Sequence, residues 1–276
     1  MKRRDFIKRG ALFVPTIFIP RLIRAQSILT APGLASFGSN ATTGGGGGGG
    51  GDDLTGLALR YKVDDASTVD GGGIGTLPDS GGGGHDATQA SGSDQPIMHV
   101  GFVNGHKAAE FGPGTGGQFW TASVPAILIG GARSATVFVV LKQDGTQANN
   151  GAFNFVNGAD TVGSLPTFSD VIYWDWQNTS GGRISGSQPT GWDNAWHVLE
   201  LHVNGANQSI LVDGATIATS SSASGNISQT GTGTLTLGFY AVSFKGFIAE
   251  FRFYNSDKDS TSSANIRGAL KTTYGT

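Results

Sequence analysis

The sequence predicts an all-β fold: an antiparallel β-sandwich with a short C-terminal helix. Three observations carry this. Short apolar runs alternate with clusters of Gly, Ser, Asn and Asp from residue 57 to residue 254. Helical spacing is confined to the last turn-free stretch, 260–274. Glycine fills 46 of 276 positions, far more than helices tolerate and in keeping with many tight turns.

Each element follows from local pattern. Leu57 to Val63 alternates apolar and polar residues, the signature of a half-buried strand. Ala135 to Leu141 is an unbroken, β-branched-rich run, which suits a strand buried on both faces. Residues 152–156 and 171–176 read as further strands. In the latter, Trp174 and Trp176 fall on one face, with Tyr173 and Asp175 on the other. Trp196 to Val203 alternates again, placing His197 and His202 on opposite faces. Ser209 to Val212 leads into Asp213-Gly214, a hairpin turn signal, and out through residues 215–218. Residues 234–240 and 244–254 complete the set. In the last, period-two alternation puts Phe247, Ala249, Phe251 and Phe253 on one face. A helix over Ser260–Tyr274 follows a Ser/Asp-rich start, with Ala264, Ile266, Ala269 and Leu270 in rough helical register.

The first 51 residues differ in kind. Five of the first ten are basic, and Arg3-Arg4-Asp5-Phe6-Ile7-Lys8 resembles the twin-arginine (Tat) export signal of bacteria. The apolar stretch Ala11–Ile19 is too short for the ~20 residues of a membrane-spanning helix. Residues 1–25 are therefore expected to be a signal peptide cut near Ala25, sending the protein to the periplasm, the cell surface or the medium. Residues 26–51, ending in the eight glycines Gly44–Gly51, read as a flexible linker, and 52–276 as one domain.

Charge and composition exclude several classes. Residues 1–25 hold seven of the 18 Lys and Arg and one of the 20 acids, so the remainder carries 11 against 19, a net of −8. An acidic chain without a basic stripe is a poor nucleic-acid ligand, because such binding rests on neutralising phosphates. The absence of cysteine removes disulfides, thiolate metal sites and thiol nucleophiles.

Residues 196–219, "WHVLELHVNGANQSILVDGATIAT", are similar to the central hairpin of the concanavalin A-like lectin/glucanase jelly rolls, in particular the laminin-G-like (LamG) domains of secreted bacterial proteins. Residues 235–275 resemble that family's closing segment: a Leu-x-Leu-Gly strand, Gly-x-Ile-Ala-Glu, a Tyr-Asn turn and a short helix ending in Tyr-Gly. Upstream, "YKVDDASTV" and "DSGGGGHDATQ" resemble its opening, with Tyr61 and Leu77 where the family often has Trp. The resemblance implies a jelly roll. It also leaves room for one calcium ion, for which Asp64, Asp65, Asp79, Asp86 and Asp175 are candidates, although no D-x-D-x-D-G loop is present.

Some relatives of this fold are glucanases, whose retaining chemistry needs two carboxylates about 5–5.5 Å apart. The patterned region contains three glutamates, Glu110, Glu200 and Glu250, none with an acid two positions away. No Gly-x-Ser-x-Gly elbow accompanies the five histidines. The expected function is therefore non-catalytic recognition, with carbohydrate as the leading ligand class. Rings that stack on sugars, flanked by polar acceptors, would be Trp120, Trp174, Trp176 and Trp192, with Asp193 and Asn194 beside the last. Core packing competes for each of these rings, Trp174 most of all. Exposure of Trp176 and Trp192 would favour sugar. Their burial, with an apolar patch elsewhere, would favour a structural or adhesion module contacting protein in a cell envelope or phage particle.

Overall fold

A computed structural model describes residues 52–112, 117–129, 133–177, 181–222, 224–225, 227–228 and 230–276. The expected signal and linker lie outside the described residues.

Two sheets pack face to face. The first contains β1 (Leu57–Lys62), β4 (Ile97–Val103), β5 (His106–Phe111), β7 (Ser134–Gln143), β14 (Trp196–Asn204), β15 (Asn207–Val212), β16 (Ala215–Ser220) and β20 (Gly246–Tyr254). Their order is β16-β15-β14-β7-β20-β5-β4, with β1 also pairing β20. The second contains β2 (Thr76–Leu77), β3 (Ala87–Thr88), β6 (Trp120–Pro125), β9 (Phe153–Asn157), β10 (Asp160–Leu165), β12 (Val171–Gln177), β13 (Arg183–Ser187) and β17 (Thr232–Leu237), in the order β13-β12-β10-β9-β17-β6-β3-β2. Two small two-stranded ribbons pair β8 (Asn149–Asn150) with β11 (Thr167–Phe168) and β18 (Phe239–Tyr240) with β19 (Val242–Ser243). The strand pairings of both sheets are antiparallel, and the whole is a jelly-roll sandwich with one helix, α1 (Ser260–Tyr274).

The inner faces meet in a core built on Val137, Val139, Leu141, Leu199, Leu201, Phe251 and Phe253 from the first sheet, and Phe153, Phe155, Trp174, Trp176 and Leu235 from the second. A second cluster lies on the outer face of the first sheet. There Ile266, Leu270 and Tyr274 of α1 cover Phe138, Val140, Val198, Ala249 and Tyr254. β7 thus has apolar cover on both sides, and the polar residue within Ala135–Leu141, Thr136, is buried with its hydroxyl accepting the Lys258 N–H.

The helix spans the expected residues. Asp259 caps it by accepting the Ser262 N–H, and Gly275, at φ 67°, closes it in the left-handed conformation while donating to the Lys271 carbonyl. Its buried stripe is Ser263, Ile266, Leu270 and Tyr274, with Ala264 left exposed.

The expected common face of Phe247, Ala249, Phe251 and Phe253 is corrected. A bulge between Ile248 and Glu250 in the β20–β7 pairing resets the alternation. Phe247 and Ala249 therefore join the outer cluster, whereas Phe251 and Phe253 join the inter-sheet core. The Asp213-Gly214 turn forms with both residues at positive φ, 53° and 92°. Asp213 does more than turn the chain: its carboxylate accepts from the Val198 N–H at 2.9 Å and contacts His197 Nδ1 at 2.7 Å, tying the hairpin tip back to β14.

Candidate functional site

The tryptophans singled out in the sequence are not exposed platforms. Trp120, Trp174 and Trp176 are fully buried, and Trp192 is 2% exposed. The physical reason is strand parity. Ile172, Trp174 and Trp176 share the face of β12 that meets the other sheet, and the two indoles pack with centroids 6.0 Å apart. Trp174 Nε1 donates to the His202 carbonyl and Trp120 Nε1 to the Ile74 carbonyl, so both rings also pin the core. Trp192 stacks on His197 at 4.9 Å and 11° between planes.

Asp193 and Asn194 are structural ties. Asp193 accepts from Gln143 Nε2 at 2.7 Å and Thr146 Oγ1 at 2.6 Å, and Asn194 Oδ1 accepts the Gly145 N–H. A concavity of about 400 Å3 touches Trp192 and Asp193, so the structure does bring these two together, but it leaves almost no ring surface for stacking.

Of the candidate calcium ligands, Asp64, Asp79, Asp86 and Asp175 are each engaged by protein partners. Asp64 is engaged by His106, Lys62 and the Lys107 N–H. Asp79 accepts the N–H groups of Arg60, Gly81 and His85, and Asp86 accepts that of Asp79. Asp175 is sealed by a bidentate Arg183 and the Tyr240 hydroxyl. Among the described residues, no group of three or more His, Asp or Glu side chains could hold a metal ion.

The buried carboxylates are equally committed. Glu200 Oε1 contacts His202 at 2.6 Å and its Oε2 accepts from Arg267 at 2.5 Å. Burial resists its ionisation, but the His202 and Arg267 charges prevail and hold its pKa below the usual value. Glu250 Oε1 takes Arg60 and Arg252 while Oε2 takes the Tyr274 hydroxyl. Burial again opposes the charge, and Arg252 and Arg60 again win. Each of these carboxylates is held ionised with a donor on both oxygens, which suits an anchor. All five histidines also have partners: Ser123 for His85, Glu110 for His99, Asp64 for His106, Asp213 for His197, and Glu200 with Asp257 for His202.

A concavity of about 950 Å3 lies between α1 and the outer face of β14–β16. Glu200, His202, Asp257 and Arg267 floor it, and serines and threonines of β16 and residues 220–222 wall it. Burial works against charging His202, yet the bonds to Asp257 and Glu200 raise its pKa to about 9, so the floor stays cationic at that position at neutral pH.

A further aromatic cluster, with one exposed ring, lies on the same outer face. Strand register aligns Trp196, Lys142, Phe247, Glu110 and Ile97 across β14, β7, β20, β5 and β4. Phe102 reaches over this row from β4, whose pairing with β5 is interrupted between His99 and Val103, with Gly101 at φ 68°. Its ring packs 4.4 Å from Phe247 and 6.3 Å from Trp196, and it stays 39% exposed. His99 adds a third neighbour at 5.2 Å and holds Glu110 at 2.7 Å. Lys142 Nζ stands 5.4 Å and 5.2 Å from the Phe102 and Phe247 ring centroids. The sequence reading missed Phe102, Phe247 and Lys142. The Trp196 start of a strand was visible, but the row exists only through cross-strand register and the β20 bulge.

No family model and no curated protein matches this chain. Solved structures do match in fold. The binding domain of botulinum neurotoxin serotype D superposes with a TM-score of 0.58 at 11% identity, covering 79% of this chain and 51% of that one. The binding domain of botulinum neurotoxin DC, solved in complex with rat synaptotagmin II, gives 0.56 at 12% identity, with 79% and 52% covered. The chain thus spans about half the length of these toxin domains. Domain 4 of AbnA, a GH43 extracellular arabinanase from Geobacillus stearothermophilus, in complex with arabinotriose, gives 0.53 at 16% identity, with 77% and 98% covered. At these identities the likeness establishes the jelly-roll sandwich alone. Among the described residues no helix is long and apolar enough to cross a membrane.

Proposed function

We propose that this chain is a non-catalytic recognition module of an exported protein, and that it binds carbohydrate on the Phe102–Phe247–Trp196 shelf. The observation that carries the reading is the outer-face aromatic cluster in which Phe102 stays 39% exposed over the buried Phe247 and the half-buried Trp196, with Lys142, Glu110 and His99 among them. A sugar ring presents a patch of C–H groups that meets the electron-rich face of an aromatic side chain, while its hydroxyls need nearby donors and acceptors. The shelf offers both. Domain 4 of the arabinanase, a domain of the same fold bound to arabinotriose, supports the ligand class by analogy. The committed state of Glu200, Glu250 and Asp175 supports the non-catalytic part.

The test is calorimetric titration of the full chain with a panel of soluble polysaccharides, repeated on Phe102→Ala. Binding to a glycan class that falls at least tenfold in the variant is the expected result. Silence across the panel would overturn it.

A second reading has its own observation. Val69 and Val100 are 75% and 53% exposed beside Phe102, on a rim where Asp70 accepts the Val100 N–H. Together with the burial of Trp176 and Trp192, this favours contact with a protein in an envelope or particle.

A further inference from the structure

We infer that the aromatic shelf selects sugars bearing a carboxylate, and that Lys142 is the residue that reads the charge. This rests on the sugar reading of the shelf and names its ligand class. Lys142 lies between Trp196 and Phe247 in the aligned row, so its ammonium sits at the centre of the aromatic surface rather than at its margin. It contacts the faces of Phe102 and Phe247 and has no ion pair among the described residues. The shelf's own carboxylate, Glu110, is two strands away and already held by His99. On this outer face Arg60 and Arg252 are committed to Glu250, Arg267 to Glu200, and Lys258 to Asp53.

Cation–π contact holds the Lys142 head over the rings without neutralising it. A neutral sugar stacked on Phe102 would leave that charge unanswered. A sugar with a ring carboxylate would stack in the same way and place its anion on Nζ, adding a charge-assisted hydrogen bond. The pair is partly solvated, so its contribution is modest: preference over the neutral form is set at roughly three- to fivefold. It decides which sugar binds rather than whether any does.

The test uses the full chain and three acidic polymers, polygalacturonate, alginate and hyaluronan, each beside its carboxyl-reduced form, with poly-glutamate as a non-sugar anion. The expected result is tighter binding of at least one acidic polymer than of its reduced form. Lys142→Met should erase that preference, bringing the acidic polymer down to the affinity of its reduced form, and Lys142→Arg should restore it. Circular dichroism confirms that both variants fold. An acidic preference that survives Lys142→Met, or poly-glutamate binding as tightly as the glycans, overturns the inference. Equal binding of acidic and reduced polymers, lost in Phe102→Ala, overturns the inference and leaves the sugar reading standing. No binding of any polymer overturns both.

Discussion

Nη1 of Arg267, on the C-terminal helix, donates to Oε2 of Glu200, in a central strand of the first sheet, at 2.5 Å. This bond latches α1 over a carboxylate that is fully buried. Removing the arginine therefore strands a charge rather than merely losing a contact. Arg267→Met is expected to cost about 2–4 kcal/mol of unfolding free energy, and Glu200→Gln in the same chain should recover part of it. Urea denaturation of the two single variants and the double variant measures the coupling, and simple additivity would disprove the latch.

His202 bridges the same Glu200 to Asp257, and its folded pKa of about 9 lies above the ordinary histidine value of 6.5. A raised pKa means the folded state binds the proton more tightly. The stabilisation is complete below pH 6.5 and disappears as pH rises through about 9. It amounts to about 3 kcal/mol as an order of magnitude. Glu200 works in the opposite sense: its pKa is lowered, so its contribution is present above its ordinary value of 4.5 and fades as acid protonates it. Melting temperature against pH should decline between pH 6.5 and 9, and His202→Gln should flatten that decline.

Trp174 and Phe102 should separate stability from binding. Trp174→Phe leaves a void in a fully buried site and loses the bond to the His202 carbonyl, so about 2–3 kcal/mol of stability should go. Phe102→Ala removes a ring that is 39% exposed and should cost under about 1 kcal/mol while abolishing stacking. Thermal melts paired with glycan titration check both. A Trp174→Phe protein of native stability would contradict the core assignment.

Asp175 is a further sealed carboxylate, fully buried against Arg183 and Tyr240. Tyr240 donates to its Oδ2 at 2.6 Å, and burial followed by that bond pushes the phenol's pKa well above its usual value. Tyr240→Phe should cost about 1.5–3 kcal/mol because the bond is to a charge. Gly163→Ala should destabilise as well, since an added Cβ would lie 2.8 Å from the Phe153 carbonyl and 3.1 Å from the Tyr240 ring. Chemical denaturation reads both, and an unaffected Tyr240→Phe would show that Arg183 alone satisfies Asp175.

The sequence by itself determined the fold class, most strand positions, the Asp213-Gly214 hairpin and the limits of the C-terminal helix. These follow from period, turn chemistry and caps, which act over a few residues. It also gave the parity of Trp174 and Trp176, and of His197 against His202. Only the tertiary structure decided which of those faces is inside. Parity groups residues without saying whether a sheet or solvent lies opposite, and for β12 the tryptophan face met the other sheet. The Phe102–Lys142–Phe247–Trp196 shelf was equally beyond local reading. Register brings Trp196, Lys142 and Phe247 into one row from three strands, Phe102 reaches over it from the interrupted part of β4, and the β20 bulge splits Phe247 from Phe251 where strict alternation would have joined them. A row of that kind is a property of strand pairing, and pairing over such separations is fixed by the burial of the whole core rather than by any stretch of sequence within it.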